Sequence, residues 1–260
     1  MKGRHGLIAA CAVIYFFLML PLLVVFPISL SSAPYMQFPP PGLSWQWYER
    51  YLDDPQWIDA TIRSLYIGVA TAILALALGV PLAFSLVRGK FIGKGLLDRI
   101  AMAPVIVPTI IVSVAVYGLF AKLKLIGMWY GLVVAHTVLA LPFVVLVMVA
   151  GLRDFDRVLE QAAEGLGASR FRTLSRVTLP LLRPSLVSAA LLAFITSFDE
   201  VVVALFLSGS NMTLPKKMFD NILMEIDPTI AAVSVMQIVL VTIVLVLIGR
   251  FGRGLSATAR

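Results

Sequence analysis

The sequence holds a single cysteine, Cys11, and two histidines, His5 and His136. One thiol can form neither an intramolecular disulfide nor a thiolate metal cluster. Charge is scarce as well: charged residues make up 13% of the 260 positions, against 60% hydrophobic. That is more apolar surface than one soluble core of this length hides. There is neither a GxxxxGK[ST] phosphate loop nor an HExxH zinc motif, so the parts for nucleotide hydrolysis or zinc-assisted hydrolysis are missing. His136 stands alone in an apolar run, where a hydrogen bond between helices is favoured over a ligand role.

What is abundant is long apolar sequence. Crossing a hydrocarbon layer takes about 20 mostly apolar residues, and six stretches qualify, near 7–30, 60–87, 99–121, 129–152, 184–208 and 229–250. The expected fold class is therefore an all-α membrane protein with six transmembrane helices in one domain, 1–260, and both termini on one side. Lys2 and Arg4 ahead of the first stretch also fit a secretion signal, but the run is about twice as long as a signal core, so a retained anchor is expected.

Lys and Arg collect on the cytoplasmic side of short loops. Of the 21 basic residues, 15 fall on the side of the termini: Lys2, Arg4, Arg88, Lys90, Lys94, Arg99, Arg153, Arg157, Arg170, Arg172, Arg176, Arg183, Arg250, Arg253 and Arg260. Arg50, Arg63, Lys122, Lys124, Lys216 and Lys217 lie opposite. Both termini are thus expected in the cytoplasm. The net charge of +7 flanks apolar helices instead of forming one polar face, which argues for membrane lipid and against nucleic acid as a partner.

The external segment 31–57 is rich in proline and aromatics, and reads as an interfacial belt or as a docking surface for an external partner. Pro81, Pro104, Pro108 and Pro142 are expected to bend or interrupt their spans. The cytoplasmic connection 153–183 reads as two short helices. Asp154 or Asp156 caps the first, which carries Val158, Leu159, Ala162, Ala163 and Leu166 and stops near Gly165 or Gly167. Ser169 caps the second, which carries Phe171, Leu174 and Val177 and ends before Pro180; Pro184 then opens the fifth span.

The segment EQAAEGLGASRFRTLSRVTLPLLRPS, 160–185, resembles the EAA loop of ABC importer permeases. Aligned on Ala162, Ala163 and Gly167, the family pattern puts its aliphatic residue on Val177 and its Leu-Pro end on Leu179 and Pro180. Gln161 departs from it, standing where the family commonly has Glu. The resemblance implies a type I ABC importer permease fold whose loop is a coupling helix seated in an ATPase subunit, with Glu160, Gln161, Ala162, Ala163, Gly167, Ala168, Leu179 and Pro180 as its residues. With Gln161 neutral, a charged pair to the ATPase falls to Glu160 or gives way to a neutral hydrogen bond. The bland alternative is an amphipathic loop lying on anionic lipid.

A second constellation is SFDEVVVALFLSG, 197–209, in the fifth apolar stretch. A charge at the bilayer centre costs about 3 kcal/mol on insertion scales, so Asp199 and Glu200 are not expected to face lipid. They line a cation pathway, together with Ser197 and Phe198, or they cap a helix break. With FPPPGLSWQWY (38–48) and TLPKKMFDNILMEIDPTIAAVS (213–234), this segment looks like permeases of polyamine-type ABC importers, although Arg63 stands where a small polar residue is expected. The resemblance covers most of the chain from about residue 38. It implies two ATPase subunits that bind ATP and Mg, a second permease (a non-identical paralogue favoured over a second copy), a periplasmic solute-binding protein, and no cofactor on this chain. The implied location is the bacterial inner membrane. An acid pair favours an amine over an anion; an amino acid or aminophosphonate importer, or an uncoupled channel or scaffold, are the alternatives.

Overall fold

The structure is a computed structural model that describes residues 2–224 and 226–256, with side chains over 7–8, 10–224, 226–243 and 245–246. The terminal basic side chains in the orientation count (Lys2, Arg4, Arg250, Arg253, Arg260) lie outside the described residues. The chain divides into two compact units, Met1–Asp59 with Lys217–Val246 and Ala60–Lys216 with Leu247–Arg260.

The first unit opens with α1 (Lys2–Ser29), which holds Pro21 and Pro27 within its length. Its residues 10–21 are all exposed and only Ser29 at its end is buried, so an apolar surface is left along most of its length for lipid or another chain. The proline-rich segment that follows is folded back: the backbone N–H of Ser32 donates to the carbonyl of Gly42 at 3.0 Å and that of Ser44 to the carbonyl of Leu30 at 2.7 Å. α2 (Gln46–Asp53) turns Trp47 and Tyr51 inward, four residues apart and hence on one face. The Trp47 indole donates to the carbonyl of Ser31 at 2.7 Å. The aromatics expected as a belt therefore divide: Trp47, Tyr51 and Trp57 are buried, while Tyr35 and Trp45 are exposed. Arg50 pairs with Asp227 at 3.3 Å, and Asp227 Oδ1 accepts the N–H of Thr229 at 2.8 Å, capping α13 (Thr229–Ser256).

The second unit carries most of α3 (Pro55–Arg88), then α4 (Lys94–Ile106), α5 (Thr109–Lys122), α6 (Trp129–Asp154), α7 (Val158–Gly165), α8 (Arg170–Thr173), a π-helical turn over Leu174–Thr178, α9 (Leu179–Leu181), α10 (Arg183–Phe198) and α11 (Val202–Leu207); α12 (Leu214–Met224) begins in it. Alanines line the contact of its long helices. Ala72, Ala75 and Ala83 on α3, Ala140 on α6, and Ala189 and Ala193 on α10 form one buried cluster with Val144 and Met148. Where lipid removes the hydrophobic drive, small residues let backbones approach closely and gain dispersion contact. Gly79 marks a close approach of α3 to α6: a Cβ there would sit 2.6 Å from Val144 Cγ1. We expect Gly79→Leu to overpack this seam, at a cost of about 1–3 kcal/mol, read as a lower melting temperature in detergent. An unchanged melting curve would contradict it.

Among the described residues, three helices are long and apolar enough to cross a membrane: the Ala10–Ser29 stretch, Pro55–Arg88 and Trp129–Asp154. Two further candidates are bent pairs, α4 with α5 at 106° and Arg170–Leu181 with α10 at 69°. The prolines behave differently from one another. Pro81 and Pro142 lie inside continuous helices, whereas the chain breaks at Val107, which is extended with φ −80° and ψ 129°. Val107 precedes Pro108, whose ring disfavours the helical region for the residue before it. The fifth apolar stretch also breaks, since α10 stops at Phe198 and α11 starts at Val202.

Candidate functional site

The connection between α6 and α10 folds as its punctuation dictates. Asp156 Oδ1 accepts the N–H of Val158 at 2.9 Å, capping α7. α7 stops in a Schellman motif: Ala168 N donates to Ala163 O at 3.0 Å and Gly167 N to Glu164 O at 2.9 Å. Gly167 holds φ +87°, the left-handed conformation this cap requires. The spacing of Ala163 and Gly167 is thus the geometry of a helix stop. Ser169 caps α8 by accepting from Arg172 N at 3.4 Å. The second helix does not end before Pro180, as the sequence implied. It continues through the π-helical turn and α9 to Leu181, with Pro180 inside it just after the π-helical turn.

The loop is open to its surroundings. Gln161, Ala162 and Gly167 are exposed, Ala163, Ala168, Leu179 and Pro180 are half-buried, and Leu166 and Phe171 expose 91% and 79% of their surface. A Cβ at Gly165 or Gly167 would meet nothing within 4 Å. Glu160 is the exception. Arg88 Nη2 donates to its Oε1 at 2.9 Å, and the Thr178 hydroxyl donates to the same oxygen. The one charged residue expected to reach an ATPase instead faces its own chain, because an arginine at the end of α3 and a hydroxyl in the π-helical turn both reach its carboxylate.

The second site lies where two helix breaks meet. A cavity of about 390 Å³ is lined by the α4–α5 break, residues 104–109, and by Leu139, Phe143, Thr196 and Glu200. Glu200 is the one ionisable group among them. Its Oε1 accepts the N–H of Val203 at 2.9 Å, so it also caps α11. Helical backbone ends at Ile106 and again at Phe198, and a helix C-terminus carries partial negative charge. The N-termini of α5 at Thr109 and of α11 at Val202 meet the same breaks with partial positive charge, so the formal charge in the lining is that of the Glu200 carboxylate alone.

Asp199 and Glu200 separate here. Asp199 ends α10 with φ −93° and ψ 1° and is exposed, and it is not among the cavity-lining residues. Ser197 and Phe198, expected in the pathway, are in the packing instead. Phe198 is buried and stacked on Phe194 with ring centroids 5.4 Å apart. Ser197 Oγ lies 2.8 Å from His136 Nδ1 and donates to Thr71 Oγ1 at 3.2 Å, so His136 bonds between helices. Ser197 and Phe198 are both buried and neither lines the cavity. Sequence reading missed Arg88 and Thr178 as partners of Glu160, and Leu139, Phe143 and Thr196 as cavity walls. Apolar and hydroxyl residues in an apolar span carry no distinguishing signal, although Pro108 did mark the break, whereas Pro104 lies within α4.

Residues 75–257 match the family described as "Binding-protein-dependent transport system inner membrane component". The chain is 34% identical over 230 residues to the spermidine/putrescine transport system permease protein PotC of Haemophilus influenzae, covering 88% of this chain and 89% of that one. It is 32% identical over 230 residues to the putrescine transport system permease protein PotI of Escherichia coli, covering 84% and 80%. In fold it is similar to a chain of a bacterial ABC transporter involved in the import of the acidic polysaccharide alginate, with a TM-score of 0.72 at 19% identity over 96% of this chain and 98% of that chain.

Proposed function

The chain belongs to the family of inner membrane components of binding-protein-dependent transport systems, the permease subunits of ABC importers, and from that premise we propose that it carries a polyamine or a related amine across the bacterial inner membrane. The observation that supports this substrate class is the lone carboxylate of Glu200 in a cavity built by two helix breaks. It would offset positive charge on a passing amine without holding it, since conduction needs binding weak enough for release. Relatives that transport spermidine and putrescine point the same way.

In the proposed mechanism a periplasmic solute-binding protein delivers the amine, and a second permease, a paralogue favoured over a second copy, completes the path. Two ATPase subunits holding ATP and Mg drive alternating access; this chain hydrolyses nothing. The proposed topology has six spans with both termini cytoplasmic, which the placement of 15 of the 21 basic residues on one side supports. The loop 153–183 then lies in the cytoplasm as the coupling helix, its exposed Leu166 and Phe171 offering an apolar face to an ATPase groove.

The test is ATP-dependent uptake by the assembled complex in vesicles. Labelled spermidine or putrescine should accumulate and be displaced by the other amine. Displacement by an amino acid or aminophosphonate alone would move the substrate to that class. Uptake independent of ATP would mean an uncoupled channel.

A further inference from the structure

α7 buries none of its residues fully, so apolar packing holds it weakly. The side-chain hydrogen bonds that tie it to other elements converge on one carboxylate oxygen. Glu160 Oε1 accepts from Arg88 Nη2, the last residue of α3, and from the hydroxyl of Thr178, the last residue of the π-helical turn that leads into α9 and α10. Three elements of one compact unit converge there. The partners are themselves fixed. Thr178 is fully buried, and the Arg88 guanidinium lies 4.8 Å from the ring centroid of Phe84 and 5.9 Å from that of Phe155, contacts that orient its planar fork. The site is part-buried, with the Glu160 and Arg88 side chains exposing 16% and 25%, so the pair is screened less than a surface ion pair. Beside it a cavity of about 250 Å³, bounded by Glu160, Arg88, Arg170 and Thr173, leaves room for the loop to shift.

We infer that Glu160 is a positioning residue: with Arg88 and Thr178 it forms an internal strut that makes α3 and the start of α10 follow any displacement of α7. Without the strut a force on α7 would be absorbed by the loop. Glu160 thus acts through its own chain and does not dock the ATPase. The inference rests on the coupling role proposed for the loop.

Two measurements on the assembled complex test it. In the first, amide hydrogen exchange over 158–165 is followed in wild type, Glu160→Gln, Arg88→Gln and the charge-exchanged double variant R88E/E160R. Each single variant should exchange at least tenfold faster in α7 with α6 unaffected, and the double variant should recover part of the protection. In the second, the ATPase subunits should still co-purify with both single variants and retain basal hydrolysis, while uptake per ATP falls at least tenfold. Exchange within twofold of wild type in both single variants overturns the strut, as does unchanged uptake per ATP. Loss of the ATPase from Glu160→Gln but not from Arg88→Gln overturns it in favour of direct docking. If the wild-type complex shows no ATP-dependent uptake, the coupling reading fails; the exchange data then separately report whether the strut exists.

Discussion

Replacing Gly167 by valine should abolish ligand-stimulated ATP hydrolysis in the reconstituted complex, a loss of at least tenfold, while leaving membrane insertion intact. Gly167 sits at φ +87°, and a left-handed residue with a Cβ costs roughly 1–2 kcal/mol, most for a β-branched side chain. A Cβ there would touch nothing within 4 Å, so the penalty is one of backbone conformation alone. Relief comes from unwinding the Schellman cap, which re-aims Leu166 and Ser169 and with them the exposed face of the loop. Asparagine tolerates the left-handed region, so Gly167→Asn should stay within about twofold of wild type. Gly165, two residues earlier, lies within α7; Gly165→Ala should be neutral or stabilise the helix by about 0.5–1 kcal/mol. Full stimulation in Gly167→Val would mean that the cap does not set the coupling geometry.

Glu200→Gln should lower amine uptake about tenfold or more at unchanged protein level. Glutamine keeps an acceptor for the Val203 N–H and removes only the charge, so the variant separates compensation of the ligand from capping of α11. A hydrogen bond to a charged group contributes about 1.5–3 kcal/mol, and each 1.4 kcal/mol is a factor of ten. Glu200→Ala should lose more, because the α11 cap goes too. Asp199→Asn should change uptake less than twofold, since Asp199 is absent from the cavity lining. Equal losses for Asp199→Asn and Glu200→Gln, or none for Glu200→Gln, would remove the cavity from the transport path.

The two site predictions differ in how much of them was readable in advance. Ser169 declares itself in sequence, and the cap and stop of α7 narrow to two candidates each (Asp154 or Asp156, Gly165 or Gly167), because caps and left-handed stops are local: the residue type, its neighbours and the backbone it needs lie within a few positions. Val107 is in the same class, since proline acts on the residue before it. Glu160 and Arg88, 72 positions apart, are not: nothing local to either residue announces the pair. Asp199 and Glu200 are adjacent and chemically alike, yet one lines the cavity and the other does not. The choice is made by a helix break whose position within an apolar run carries no composition signal.

The sequence by itself determined the membrane class, the helical content, the helix caps within 153–183, and membership of the importer permease family. Each of these rests on composition, on period or on short-range backbone sterics, which a linear chain carries in full. Only the tertiary structure decided which acid faces the cavity, that Ser197 and Phe198 pack inward, and that the Glu160 carboxylate is held by Arg88 and Thr178. Side-chain direction and long-range pairing depend on how helices far apart in sequence are brought together, and no local rule specifies that.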